Sequence, residues 1–202
     1  MTKKKVISKE INKLPSKLEA IMVYLLRFLL IIMVGGIALT AGVALGWFSL
    51  NYGHIHLAIP TFIFTIFIQA FVMFYFIGVS RLVENVWNAL NSTGNLTELF
   101  DNPPTDLEPY KKKVARFVHE STLSKRQTIP WTILMLVLGT IAFLLGGAHD
   151  TGMVTKVIHS GVAYGFFAAM MIGFVRQWYY LGKSHILLGD MKSLFGISRD
   201  SM

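Results

Sequence analysis

Four long apolar blocks separated by polar stretches dominate the chain, over residues 21–50, 56–80, 129–147 and 157–180. Each holds about the 20 residues that an α-helix needs to cross a ~30 Å hydrocarbon layer. The pattern predicts an all-α integral membrane fold with four transmembrane helices. The first block follows about twenty mostly polar residues and is too long for the apolar region of a signal peptide. It is therefore expected to be retained. A different period appears over 106–123, where Leu107, Tyr110, Val114, Phe117 and Val118 recur on one side of a lysine-rich segment. This predicts a short amphipathic helix, expected to lie on the lipid headgroups. Ahead of it, 82–90 continues the second span, Asn91-Ser-Thr-Gly-Asn95 breaks it, and Asn102-Pro-Pro-Thr105 forms a second turn. Pro60 falls near the first turn of the second span, where a missing N–H costs least.

Displaced by 104 residues, the chain matches itself without gaps. Val34-Gly-Gly-Ile-Ala-Leu-Thr-Ala-Gly-Val-Ala44 falls on Leu138-Gly-Thr-Ile-Ala-Phe-Leu-Leu-Gly-Gly-Ala148, with five of eleven positions identical. Phe74-Tyr-Phe-Ile-Gly-Val-Ser80 falls on Trp178-Tyr-Tyr-Leu-Gly-Lys-Ser184. The expectation is a duplicated helical hairpin whose two copies enter the bilayer from the same side, a parallel repeat about an axis along the membrane normal. The domain organisation is then a basic N-terminus (1–20), a first transmembrane hairpin (21–80), a linker carrying the amphipathic helix (81–127), a second hairpin (128–182) and a C-terminal tail (183–202). Gly35, Gly36, Gly42 and Gly46 on the first span and Gly139, Gly146 and Gly147 on the third place those two spans at the centre, because small residues let membrane helices approach closely. The phenylalanines of the second span (Phe62, Phe64, Phe67, Phe71, Phe74, Phe76) are expected to meet lipid or a partner subunit.

Composition and charge orient this fold. The chain is 53% hydrophobic with a mean hydropathy of +0.54, too apolar for a soluble domain of its length. Of nineteen lysines and arginines, only Lys156 lies in a connection on the far side of the spans. Both termini and the linker are thus expected in the cytoplasm, with the chain in a bacterial inner membrane. Basic flanks of this kind account for the net charge of +8, and no nucleic acid is expected as a partner. The expected partners are the lipid bilayer and other membrane subunits or further copies of the chain. With no cysteine, disulfides, thiolate metal sites, Fe–S clusters and covalently attached c-type haem are excluded. Asn91 and Asn95 match the glycosylation pattern but fall on the cytoplasmic side.

The chemistry-bearing residues collect at the two short outer connections. Four of the six histidines lie there, His54 and His56 at the first and His149 and His159 at the second, together with Asp150, the only acid on that side. Imidazole and carboxylate ligate transition metals or haem iron. One expectation is a metal site of His54, His56, His149, Asp150 and His159, taking Cu, Zn or Fe and serving redox chemistry or metal handling. A His-x-His pair on a helix points its rings about 200° apart, which favours His56 over His54 as the inward ligand. The alternatives are haem b held by His56 and His159 in a cytochrome exchanging electrons with quinone, or a non-catalytic accessory subunit whose histidines sit at the interface without a ligand. His119 and His185 form a poorly placed second pair. Arg27 and Arg176 lie near the cytoplasmic ends of their spans, where they can snorkel. No acid falls within a span, which argues against a carboxylate-based ion transporter. The catalytic residues, if any, are not identifiable, and neither is the nature of any substrate.

Overall fold

The computed structural model describes residues 16–49, 54–92, 96–100 and 104–196, with side chains from residue 21 onward except those of 97 and 98. Residues 1–15 of the basic N-terminal stretch, 50–53 of the first outer connection, 93–95 and 101–103 at the expected linker turns and the tail from 197 lie outside the described residues. Within them, all regular structure is helical: α1 (Ser16–Ala44), α2 (Ile55–Asn91), α3 (Leu96–Leu99), α4 (Glu108–Asp150) and α5 (Lys156–Leu194). All but the single-turn α3 are long and apolar enough to cross a membrane.

The helices are longer than a hydrocarbon layer requires. At about 1.5 Å per residue, the 43 residues of α4 extend roughly 65 Å, twice the ~30 Å hydrocarbon thickness. The amphipathic segment is the first half of this helix and not an element of its own. Asp106 Oδ1 accepts the Glu108 N–H at 3.0 Å, an Asx turn that starts α4, and the helix then continues unbroken to Asp150. Its apolar face packs on protein, with Val114 and Phe117 buried.

Contacts divide the chain into two compact units. The first comprises Met1–Tyr24, Tyr75–Arg126 and Tyr180–Met202, and the second Leu25–Phe74 and Gln127–Tyr179. In the first, the ends of α2 and α5 and the start of α4 bury Val79, Val83, Val86 and Leu90 with Leu181, Leu187 and Met191. Phe100, Tyr110 and Phe195 form a ring cluster with centroids 5.0–6.2 Å apart. Glu84 accepts the Ser80 hydroxyl at 3.1 Å and faces Lys125 at 3.9 Å.

The second unit is inverted relative to a soluble bundle. Its outward positions are apolar, including Leu25, Phe28, Phe67, Phe71, Phe74, Leu144 and Val175, all more than half exposed. Its interior holds Thr65, Gln69, Thr128, Thr132 and Gln177 beside Leu30, Met33, Ile68 and Met135. Such an arrangement suits a hydrocarbon surround, where apolar burial gives little and interhelical hydrogen bonds and packing hold helices together. The centre is a pair of amides. Gln177 Nε2 donates to Gln69 Oε1 at 2.6 Å and to Thr132 Oγ1 at 2.8 Å. Gln69 Nε2 returns a longer contact to Gln177 Oε1 at 3.5 Å and reaches Met33 Sδ at 3.2 Å. All four spans thus meet at one polar node.

The glycines act within the hairpins. A Cβ added at Gly36 would touch Thr61 of α2 at 3.4 Å, and one at Gly139 would meet the Phe166 ring of α5 at 3.1 Å. The tightest notch lies on α5, where a Cβ at Gly173 would lie 2.6 Å from Met135 Sδ of α4. Gly35 and Gly147 face nothing within 4 Å. The expected glycine seam between the first and third spans is therefore replaced by notches that receive side chains of the paired helix. The phenylalanines of α2 also divide: Phe67, Phe71 and Phe74 stand outward, Phe76 is buried, and Phe62 stacks on Phe143 at 4.6 Å.

Candidate functional site

The turn end of the second unit is built by two matching helix stops. At α1, Gly46 takes φ +77°, with Trp47 N–H donating to Gly42 O and Gly46 N–H to Val43 O. At α4, Gly152 takes φ +77°, with Met153 N–H donating to Ala148 O and Gly152 N–H to His149 O. Both are Schellman caps, which need a left-handed residue that glycine adopts without strain. The helices that follow start alike, on the carbonyls of His54 and Thr155.

These caps fix the candidate residues. His149 and Asp150 occupy the last turn of α4 rather than the loop, His54 precedes α2, His56 lies in its first turn, and His159 lies in the first turn of α5. The rings of His149 and His159 come together, with centroids 6.0 Å apart and planes within 16°. His54, His149 and Asp150 all lie within electrostatic reach of His159. His56 and Asp150 are exposed, His54 half-buried.

The two paired histidines are held differently. His149 Nδ1 lies 3.1 Å from the Val154 carbonyl of its own loop. That contact places the proton on Nδ1 and leaves the lone pair on Nε2, the tautomer of a metal-ligating histidine with a backbone partner behind it. Among the described residues, His159 Nδ1 is covered by protein and makes no hydrogen bond, while the Ala142 backbone lies close to the imidazole. The ring rests over Gly146, where a Cβ would meet its Cε1 at 3.2 Å, so this glycine admits the imidazole. Gly146 and Val154 were not singled out as site residues from sequence. The glycine spacing around His149 was the available signal for the first; the second acts through its backbone, which leaves no sequence trace. Among the described residues, no group of three or more His, Asp or Glu side chains is gathered closely enough to hold a metal ion.

The first unit offers an open groove of about 590 Å³ between α4 and α5. Lys113 and Arg116 on its wall are offset by Glu120 and Asp190, and Arg116 pairs with Glu120 at 2.7 Å. Balanced charge and local pairing leave no group aimed at a ligand. His119 and His185 both lie in this unit, His119 exposed and His185 beside the Tyr24 ring at 6.4 Å. No protein-family model, curated protein or solved structure matches the chain.

Proposed function

We propose that the chain is an integral membrane protein with a transition-metal site at the turn end of its spans, anchored by His149 and His159 and serving redox chemistry or metal handling. The observation that carries this reading is the pairing of the His149 and His159 rings, with a covered His159 Nδ1 that makes no hydrogen bond among the described residues. A buried polar atom without a partner calls for an ion or a water. The spacing fits: two imidazoles bound to one ion at about 2.0–2.1 Å put their ring centroids about 5–6 Å apart. Ring rotation is needed to bring both lone pairs to one point, and His54 and exposed Asp150 supply further ligands as their side chains swing in. Nitrogen and carboxylate donors suit Cu(II), Zn(II) or Fe(II).

The charge asymmetry orients this end away from the cytoplasm, toward the periplasmic face of a bacterial inner membrane, with both termini cytoplasmic. The paired Schellman caps support the reading of the two hairpins as copies of one parallel repeat.

Metal analysis of the purified protein tests the site. Loading with Zn(II), Cu(II) or Fe(II) and desalting should retain about one equivalent in the wild type and none in His159→Ala or His149→Ala, with helical content unchanged. Equal retention in the variants and wild type would refute the site. Absence of metal from all three would leave the accessory-subunit reading. A Soret band lost in His56→Ala and His159→Ala would instead establish haem b between those two helices.

A further inference from the structure

At the opposite end of the second unit, two arginines lie inside the apolar spans. Arg27 of α1 sits over the Trp178 ring of α5, its Cζ 4.8 Å from the ring centre, and donates from Nη2 to the Trp178 carbonyl at 3.2 Å. Arg176 of α5 sits over the Trp131 ring of α4 at 5.3 Å and donates from Nη1 to Gln127 Oε1. Between Arg176 and Trp178 in sequence, Gln177 points inward to the amide node. Successive helical residues turn by about 100°, so Arg176 and Trp178 emerge on the two flanks of α5. Each flank carries a guanidinium stacked on an indole, and the outward face between them shows Val175, 62% exposed, and Tyr179, 53% exposed.

Among the described residues, neither cation is paired with a carboxylate. The only acid in 25–74 and 127–179 is Asp150, in the last turn of α4 at the far end of the spans. The neighbours that hold these guanidinium groups are a ring face, a carbonyl and an amide, all neutral. A guanidinium near the hydrocarbon boundary is costly unless it meets water or an anion. Arg27 lies six residues past Ile21, where the apolar run begins, so roughly 9 Å of helix separates it from the span's end. Long side chains at that depth reach the headgroup level, where the available anion is lipid phosphate. Arginine stacked on tryptophan keeps its planar N–H fork oriented for two phosphate oxygens.

We propose that this face of α5, flanked by Arg27–Trp178 and Arg176–Trp131, is a binding site for an anionic phospholipid. A headgroup phosphate takes the guanidinium donors on either flank, and the acyl chains lie along Val175 and the outward face of α5. An anionic headgroup is favoured over a zwitterionic one because its phosphate has no ammonium of its own to satisfy and two uncompensated protein cations await it. The site is independent of the histidine pair at the other end and of which side of the membrane it faces.

Native mass spectrometry of the protein from neutral detergent, with added phosphatidylglycerol or phosphatidylcholine, reads the site directly. Phosphatidylglycerol should give a retained one- or two-lipid adduct at concentrations at least about tenfold below those needed for phosphatidylcholine. Arg27→Gln and Arg176→Gln should each erode that preference, and the double variant should abolish it, while Lys112→Gln/Lys113→Gln should leave it intact. The thermal midpoint of the wild type should rise with phosphatidylglycerol and not with inorganic phosphate. If the double variant does not assemble, the single variants and the wild-type lipid comparison still decide. Equal retention of the two lipids, an undiminished preference in both single variants, or an equal thermal shift from inorganic phosphate would each overturn the proposal.

Discussion

Replacing Gln177 with leucine removes the amide on which the bundle centre converges. The side chain is fully buried, as is Gln69, so water cannot take its place. Gln69 Oε1 loses a donor at 2.6 Å and Thr132 Oγ1 loses one at 2.8 Å. A buried polar group left without a partner costs about 1–3 kcal/mol. Interhelical hydrogen bonds measured inside membranes are weaker, averaging about 0.6 and reaching about 1.7 kcal/mol, because the separated helices also find partners. Gln177→Leu should therefore destabilise by roughly 1–2 kcal/mol, and Gln69→Leu by a similar amount. The double variant exposes no orphan amide, and its cost should fall short of the sum of the single costs by about 1 kcal/mol. Unfolding free energies from titration of the protein in mixed micelles with sodium dodecyl sulfate, followed by circular dichroism, measure all three. Additivity within about 0.5 kcal/mol would mean that the two amides act independently and that the node does not hold the spans together.

Other consequences are as direct. Gly173→Ala should cost little, because the flexible tip of Met135 can move off the added Cβ, whereas Gly173→Leu should lower assembly, because buried Met135 leaves no room for a branched side chain; Gly35→Leu should be tolerated, since nothing lies within 4 Å of its Cβ position; yields of folded protein in detergent compare them. Gly46→Ala and Gly152→Ala should each cost on the order of 1 kcal/mol, because both positions require φ +77°, and a negligible cost at either in the same titration would mean that its cap does not set the turn. With no native cysteine, Thr151→Cys should react with an impermeant thiol reagent in intact cells and Lys112→Cys should not. The reverse labelling pattern would invert the proposed orientation.

The long apolar blocks disclosed the four spans because length and hydropathy act through every residue of a helix at once. What periodicity could not convey was continuity. The segment 106–123 has an amphipathic pattern whether it floats on headgroups or packs on neighbouring helices, and only the burial of Val114 and Phe117 distinguishes the two. The glycines were legible as small and not as directed: Gly36 and Gly139 receive Thr61 and Phe166 from their own hairpin partners, a choice made by helix rotation. For the histidines, clustering at the two turns was visible in sequence. The pairing of His149 with His159 depended on the Schellman cap holding His149 in the helix and on Gly146 opening a seat for the other ring. Gln177 carries no local mark in sequence; its role exists only once Gln69 and Thr132 stand opposite it.

The inverted second unit also bears on how this protein's lineage can change. Positions such as Phe28, Phe67, Phe71 and Val175 face outward, where one apolar side chain serves the hydrocarbon as well as another. Substitutions there should accumulate almost freely. Constraint should concentrate at a few scattered points: Met33, Gln69, Thr132 and Gln177 at the node, Gly36, Gly139 and Gly173 at the notches, and Gly46 and Gly152 at the caps. Descendants of a common ancestor would then share this sparse set while losing nearly all other identity. Kinship should be sought in the spacing of a glutamine, a threonine and a handful of glycines across the bundle, more than in any contiguous stretch of the chain.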